Sequence, residues 1–126
     1  RMVEQGTGGT IINVGDWAIS RPYVDHAAYF ASKGSIPALT RTFAVELATR
    51  NPRVRVNAVL PGPVMLPEGM SAAERRAVIA ATLAGREGTV DELAAAIVLL
   101  LENAFVTGVC LPVDGGRSVF ALAGDD

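Results

Sequence analysis

The sequence holds one cysteine, Cys110, and one histidine, His26. That is too few for an internal disulfide, and the two stand at no familiar metal-ligand spacing. No metal site is expected, and a reducing, cytoplasmic setting is the natural reading. Charge of one sign is also scarce: 11 basic residues against 13 acidic ones give a net charge of −2. The basic residues are scattered, so there is no stripe for nucleic acid and no patch for anionic lipid. Long apolar runs are absent too. The longest, Leu93 to Leu101, is about half of the ~20 residues a bilayer-spanning helix needs, and reads as a buried helix segment. Neither nucleic acid nor membrane is an expected partner.

What is present is enough apolar material for a core. Of the 126 residues, 50% are hydrophobic and 19% charged, the profile of one globular domain. Thr10 to Val14 is a β-branched run behind a glycine-rich turn and predicts a buried strand. From about Val24 to Arg50 apolar residues recur at threes and fours (Ala28, Phe30, Ala31, Ile36, Leu39, Phe43, Ala44, Leu47), the pattern of a long helix. Pro37 lies inside it and predicts a kink or local distortion. Arg53 to Gly62 starts with alternation and becomes continuously apolar, as a fully buried parallel strand does. Ser71 with Glu74 and Thr89 with Glu92 have capping-box spacing and mark two further helix starts. Gly108 to Gly116 reads as a short strand ending in a glycine turn.

Strands separated by helices imply an α/β fold with a parallel sheet. Three such strands would leave the first with an open apolar edge, and doubly wound sheets usually hold about five or more. The chain also opens on "RMVEQGTGGT", which reads as the tail of a helix already under way. The expectation is the carboxyl-terminal half of a Rossmann-type doubly wound parallel sheet, one partial domain over residues 1–126, with more protein before Arg1.

Tyr29 and Lys33 stand at i and i+4, so a helix projects both from one face. An ammonium beside a phenol favours phenolate and lowers its pKa, which would make the tyrosine an acid or base at neutral pH. By itself the pair equally fits an ordinary exposed Tyr and Lys. It is, however, followed in order by "RVNAVLPGPV" and "VTGVCLPVDGG". Together with "YFASKGS", these blocks resemble the carboxyl-terminal half of a short-chain dehydrogenase/reductase, over about Gly9 to Phe120.

That resemblance implies roles. Tyr29 would be the catalytic acid/base, also touching cofactor and substrate. Lys33 would bind the nicotinamide ribose and lower the Tyr29 pKa. Asn57 to Val64 would pass beside the nicotinamide, with Pro61, Gly62 and Val64 lining its site. Leu66 stands where most members have a threonine. Residues 67–88 occupy the place of the substrate-covering lid. Most members carry a serine thirteen residues before the tyrosine; this sequence has Asp16 there. The same replacement marks the pteridine reductases, so the implied activity is hydride transfer from NADPH (NADP), with NADH as the alternative, to a dihydropteridine-like substrate.

Asp16 could relay a proton to a ring nitrogen or accept hydrogen bonds from pterin N–H groups. It could also be a lost serine in a weakly active member, or a loop aspartate making a local turn. Trp17 could flank a flat substrate or pack in the core. His26 reads as a solvated or capping residue, Arg21 as a surface arginine or a contact to a substrate tail, and Cys110 as a small buried apolar residue. Arg117 could reach an active site or a neighbouring subunit. The glycine-rich dinucleotide turn of the family is missing, so NADPH rests on the resemblance alone. A homo-oligomer, dimer or tetramer, is the implied assembly. The rival readings are a reductase or dehydrogenase for another carbonyl or alcohol, and a non-catalytic assembly fragment.

Overall fold

A computed structural model of the chain describes residues 1–120. Three parallel strands form one sheet in the order β1 (Gly9–Val14), β2 (Val54–Pro61), β3 (Cys110–Val113). The connections carry helices α1 (Ala27–Arg50), α2 (Ala72–Ala80) and α3 (Val90–Glu102). A turn of 3-10 helix at Trp17–Ser20 follows β1. The α/β parallel architecture expected from the alternation is the one found.

The middle strand is the most buried, and Val54, Val56, Ala58 and Val59 are each at 0% exposure. β1 was expected to be buried; it is half-buried, and Val14 at its end is half exposed. Its position at the sheet edge is the reason. Side chains alternate along a strand, and β2 uses both faces. Leu60 lies towards Ile36 of α1, whereas Arg55 reaches the carbonyls that end α3. The two helices therefore cover opposite faces of the sheet. On β1, Thr10 pairs in register with Arg55 and bonds to it, while Asn13 pairs with Ala58 and donates to Thr40 of α1 at 3.0 Å.

α1 runs without interruption through Pro37, so the expected distortion does not break it. Its inward face also differs from the expected stripe. Thr40 and Ala44 are buried, whereas Leu39 and Phe43 are about two-fifths exposed. Helix α1 is apolar on more than one side, and periodicity alone cannot choose which side meets the sheet. Both expected capping boxes are formed: Ser71 accepts from the Glu74 N–H and Thr89 from the Glu92 N–H, with each glutamate returning to its cap's N–H. Among the described residues no helix is long and apolar enough to cross a membrane.

Candidate active site

Parallel strands end together, so Val14, Pro61 and Val113 bring three chain turns to one edge of the sheet. In open α/β sheets that edge is where ligands bind. Gly15 stays on the sheet one residue longer, donating to the Val59 carbonyl at 2.9 Å. Asp16 follows in extended backbone and caps the Trp17–Ser20 turn, its Oδ1 accepting from the Ala18 N–H at 2.7 Å. Its other oxygen, Oδ2, accepts a short hydrogen bond from the Tyr29 hydroxyl. Asp16 thus makes the local turn with one carboxylate oxygen and meets Tyr29 with the other.

Tyr29 sits in the first turn of α1, where it is 36% exposed. Its phenol is pushed up to about 12, first by the hydrogen bond to Asp16, then by burial and by the Asp16 charge. This reverses the lowering expected from Lys33. The Lys33 ammonium donates instead to the Val14 carbonyl at 3.3 Å, while the phenol turns to a carboxylate that favours its protonated form. Asp16 and Tyr29 are in direct contact, and Lys33 joins them through the residue that ends β1.

Pro61, Gly62 and Val64 lie on the next chain turn. The Gly62 N–H donates to Val113 O at 3.0 Å, and a Cβ at Gly62 would stand 2.4 Å from Asp114 Cα. Only glycine permits that approach of β2's end to β3's end. Val64 bridges to Gly88 and lines a cavity of about 320 Å³ together with Pro63, Asp114 and Gly115. Neither Asp16, Tyr29 nor Lys33 lines it. Asn57, expected beside a cofactor, is fully buried; it donates to Val106 O at 2.9 Å and accepts from the Val109 N–H at 3.1 Å. Its side chain fixes the loop into β3.

Trp17 is half-buried, with the Arg117 guanidinium 4.8 Å from its ring centroid. Both line a second cavity of about 220 Å³ with Arg21, Pro22 and Tyr23. His26 is the residue before α1 but makes no side-chain cap; its Nδ1 bonds to Val24 O at 2.9 Å and its ring meets Tyr23. Cys110 is half-buried in β3. In residues 67–88, Glu87 accepts from the Leu66 N–H at 2.9 Å and pairs with Arg75 of α2, tying the end of this segment to its start.

Two residues escaped the sequence reading. Glu87 gives no local signal, because its partners lie 12 and 21 positions away. Arg55 did give one: it is the single charge within the otherwise uncharged run "VRVNAVLP".

A family model described as enoyl-(acyl carrier protein) reductase matches residues 1–118. L-xylulose reductase of Bos taurus is 35% identical over 121 residues, covering 91% of this chain and 49% of that protein. Pteridine reductase 1 of Leishmania tarentolae is 34% identical over 125 residues, 94% of this chain and 42% of that protein. Dihydromonapterin reductase of Klebsiella pneumoniae is 36% identical over 107 residues, 85% and 43% respectively. The chain spans about half the length of the curated relatives it matches.

Proposed function

The chain belongs to the short-chain dehydrogenase/reductase family, and from that premise we propose that the complete protein is an NADPH-dependent reductase of a dihydropteridine-like substrate. The observation that carries this reading is the Asp16–Tyr29 hydrogen bond at the carboxyl end of the sheet. A serine at position 16 could donate to a carbonyl, whereas a carboxylate accepts, which suits the amino and ring N–H donors of a pterin. Relatives named for pterin substrates support the same choice.

The residues present fit one end of the cofactor. The Lys33 ammonium carries three donors and gives one to Val14 O, so it suits ribose hydroxyls. Pro61, Gly62 and Val64 would flank the nicotinamide. No helix among the described residues begins behind a glycine-rich turn that follows a strand, so the phosphates need residues beyond this set. When bound, NADPH supplies hydride to the substrate carbon and leaves as NADP.

The chain's own part is the proton. Asp16 keeps Tyr29 protonated, with its pKa at about 12. Pterin N–H groups engaging Asp16 would release the phenol to give its proton to the ring nitrogen, and solvent would restore it. The complete protein is proposed to be a homo-oligomer, supported by the outward Leu39, Phe43 and Val45 of α1.

Asp16→Ser is expected to lower kcat/KM for a dihydropterin by about 10²-fold, through lost positioning and proton control. A variant as fast as the parent would overturn the role. A second reading, reduction of a sugar-type carbonyl, is favoured by the L-xylulose reductase relative. Under that reading Asp16→Ser would keep or gain activity on such a carbonyl in the same assay.

A further inference from the structure

We infer that Glu87 is a positioning residue that latches residues 67–88. One oxygen of its carboxylate retains helix α2, and the other fixes the turn at residues 61–66 that would flank the nicotinamide. The place of the nicotinamide rests on the reductase reading; the latch itself rests on the contacts alone.

The Arg75 guanidinium, on α2, donates from Nη1 to Glu87 Oε2, and the Leu66 N–H donates to Oε1 at 2.9 Å. Beside them the Gly88 N–H donates to Pro63 O at 3.0 Å, and Val64 bridges to Gly88. A Cβ at Gly88 would stand 2.8 Å from Val64 Cγ2, so the two stretches are in close contact. Residues 63–66 and 87–88 thus form one clasp, and residues 67–86 leave and return through it.

Both parts that Glu87 holds need a hold from outside. Helix α2 has nine residues, and among the described residues none of the nine is buried. A helix that short is marginal in water unless other contacts retain it. Its end is retained by Arg117, which donates to Ala81 O at 3.1 Å; Arg75 does the same nearer its start. The turn has its own weakness. Met65 has a φ of +56°, left-handed backbone that a Cβ disfavours and that persists where neighbours enforce it. The N–H that follows Met65 is the one Glu87 accepts.

The other carboxylate pairs nearby cannot serve. Glu92 pairs with Arg86 six positions away and caps α3 locally, and its side chain is 45% exposed against 26% for Glu87. The less exposed pair is screened less, and it alone of the two reaches α2.

The test separates the two oxygens in the complete protein. Glu87→Gln keeps an oxygen for Leu66 and removes the charge that Arg75 meets; Glu87→Ala removes both. Amide hydrogen exchange within α2 should quicken about fivefold in Glu87→Gln and in Arg75→Gln, the size of a partly exposed ion pair, with α3 unchanged. The double variant should exchange no faster than either single one. The Leu66 amide should lose protection in Glu87→Ala alone. Unchanged α2 exchange, additive single effects or a Leu66 amide equally protected in all variants would overturn the latch. The NADPH dissociation constant should rise about threefold or more in Glu87→Ala, as one lost hydrogen bond allows, and stay at the parent's in Glu87→Gln. A rise equal in both, or in neither, overturns the positioning of the turn. A parent that binds no NADPH defeats the reductase reading, while hydrogen exchange still decides the latch.

Discussion

Arg55→Leu is expected to be the most destabilising single substitution in this sheet, lowering stability by about 3–5 kcal/mol, because it strands several buried backbone carbonyls without donors. Arg55 is 8% exposed in the middle strand. No carboxylate neutralises it among the described residues. Its guanidinium instead donates to the carbonyls of Leu100, Leu101 and Val106, each at 2.8 Å, and to the Thr10 hydroxyl at 2.9 Å.

Two of those carbonyls belong to the last turn of α3. That turn carries no basic residue of its own, and the helix ends on Asn103 in extended backbone. Its final carbonyls concentrate partial negative charge. Arg55 supplies from the sheet the cation that the helix lacks. Leucine would fill much of the space but leave those carbonyls without donors, at about 1–3 kcal/mol for each one kept from water. Lysine would keep the charge and lose the fork, so Arg55→Lys should fall between leucine and the parent. Urea unfolding of the complete protein checks this through its midpoint. A midpoint for Arg55→Leu equal to the parent's would show that the network contributes nothing net.

The contrast between the two ends of α3 explains what could be read from the sequence. Its start is a local matter: Thr89 and Glu92 are three residues apart and cap each other, so spacing alone predicts the box. Its end depends on Arg55, 45 positions from Leu100, and no window along the chain contains both. The same division holds at the site. Helical spacing places Tyr29 and Lys33 on one face, and the resemblance places Asp16 near them. Which of the two the phenol bonds to is set by how the β1 turn meets α1, which periodicity does not encode. Lys33 turned out to hold the Val14 carbonyl, and the expected lowering of the Tyr29 pKa became a rise. The inward face of α1 was misjudged for a related reason: Leu39 and Phe43 are apolar enough to suggest a core stripe, yet the sheet meets Thr40 and Ala44.

Replacing Tyr29 by Phe is expected to have the largest effect on catalysis, a loss of about 10²–10⁴-fold in kcat, the usual contribution of a positioned acid. KM should move little, because the ring remains and only the proton is lost. The raised phenol pKa fixes the sign of a second experiment. Folding favours the protonated phenol, so the pair's contribution to stability is whole below the ordinary value of 10.0 and is lost as pH rises towards about 12. Asp16→Asn removes the charge that is among the causes and exchanges the carboxylate for a neutral amide. The Tyr29 phenol should then ionise closer to 10. Absorbance titration at alkaline pH, compared with Tyr29→Phe to isolate this phenol from Tyr23, reads the change directly. In the parent the Tyr29 step should be missing around pH 10; in Asp16→Asn it should appear there. A step at the same pH in both proteins would mean that Asp16 does not hold the proton. If the step moves and Asp16→Asn loses activity as well, the carboxylate acts on the proton that Tyr29 donates, and the pair works as one acid.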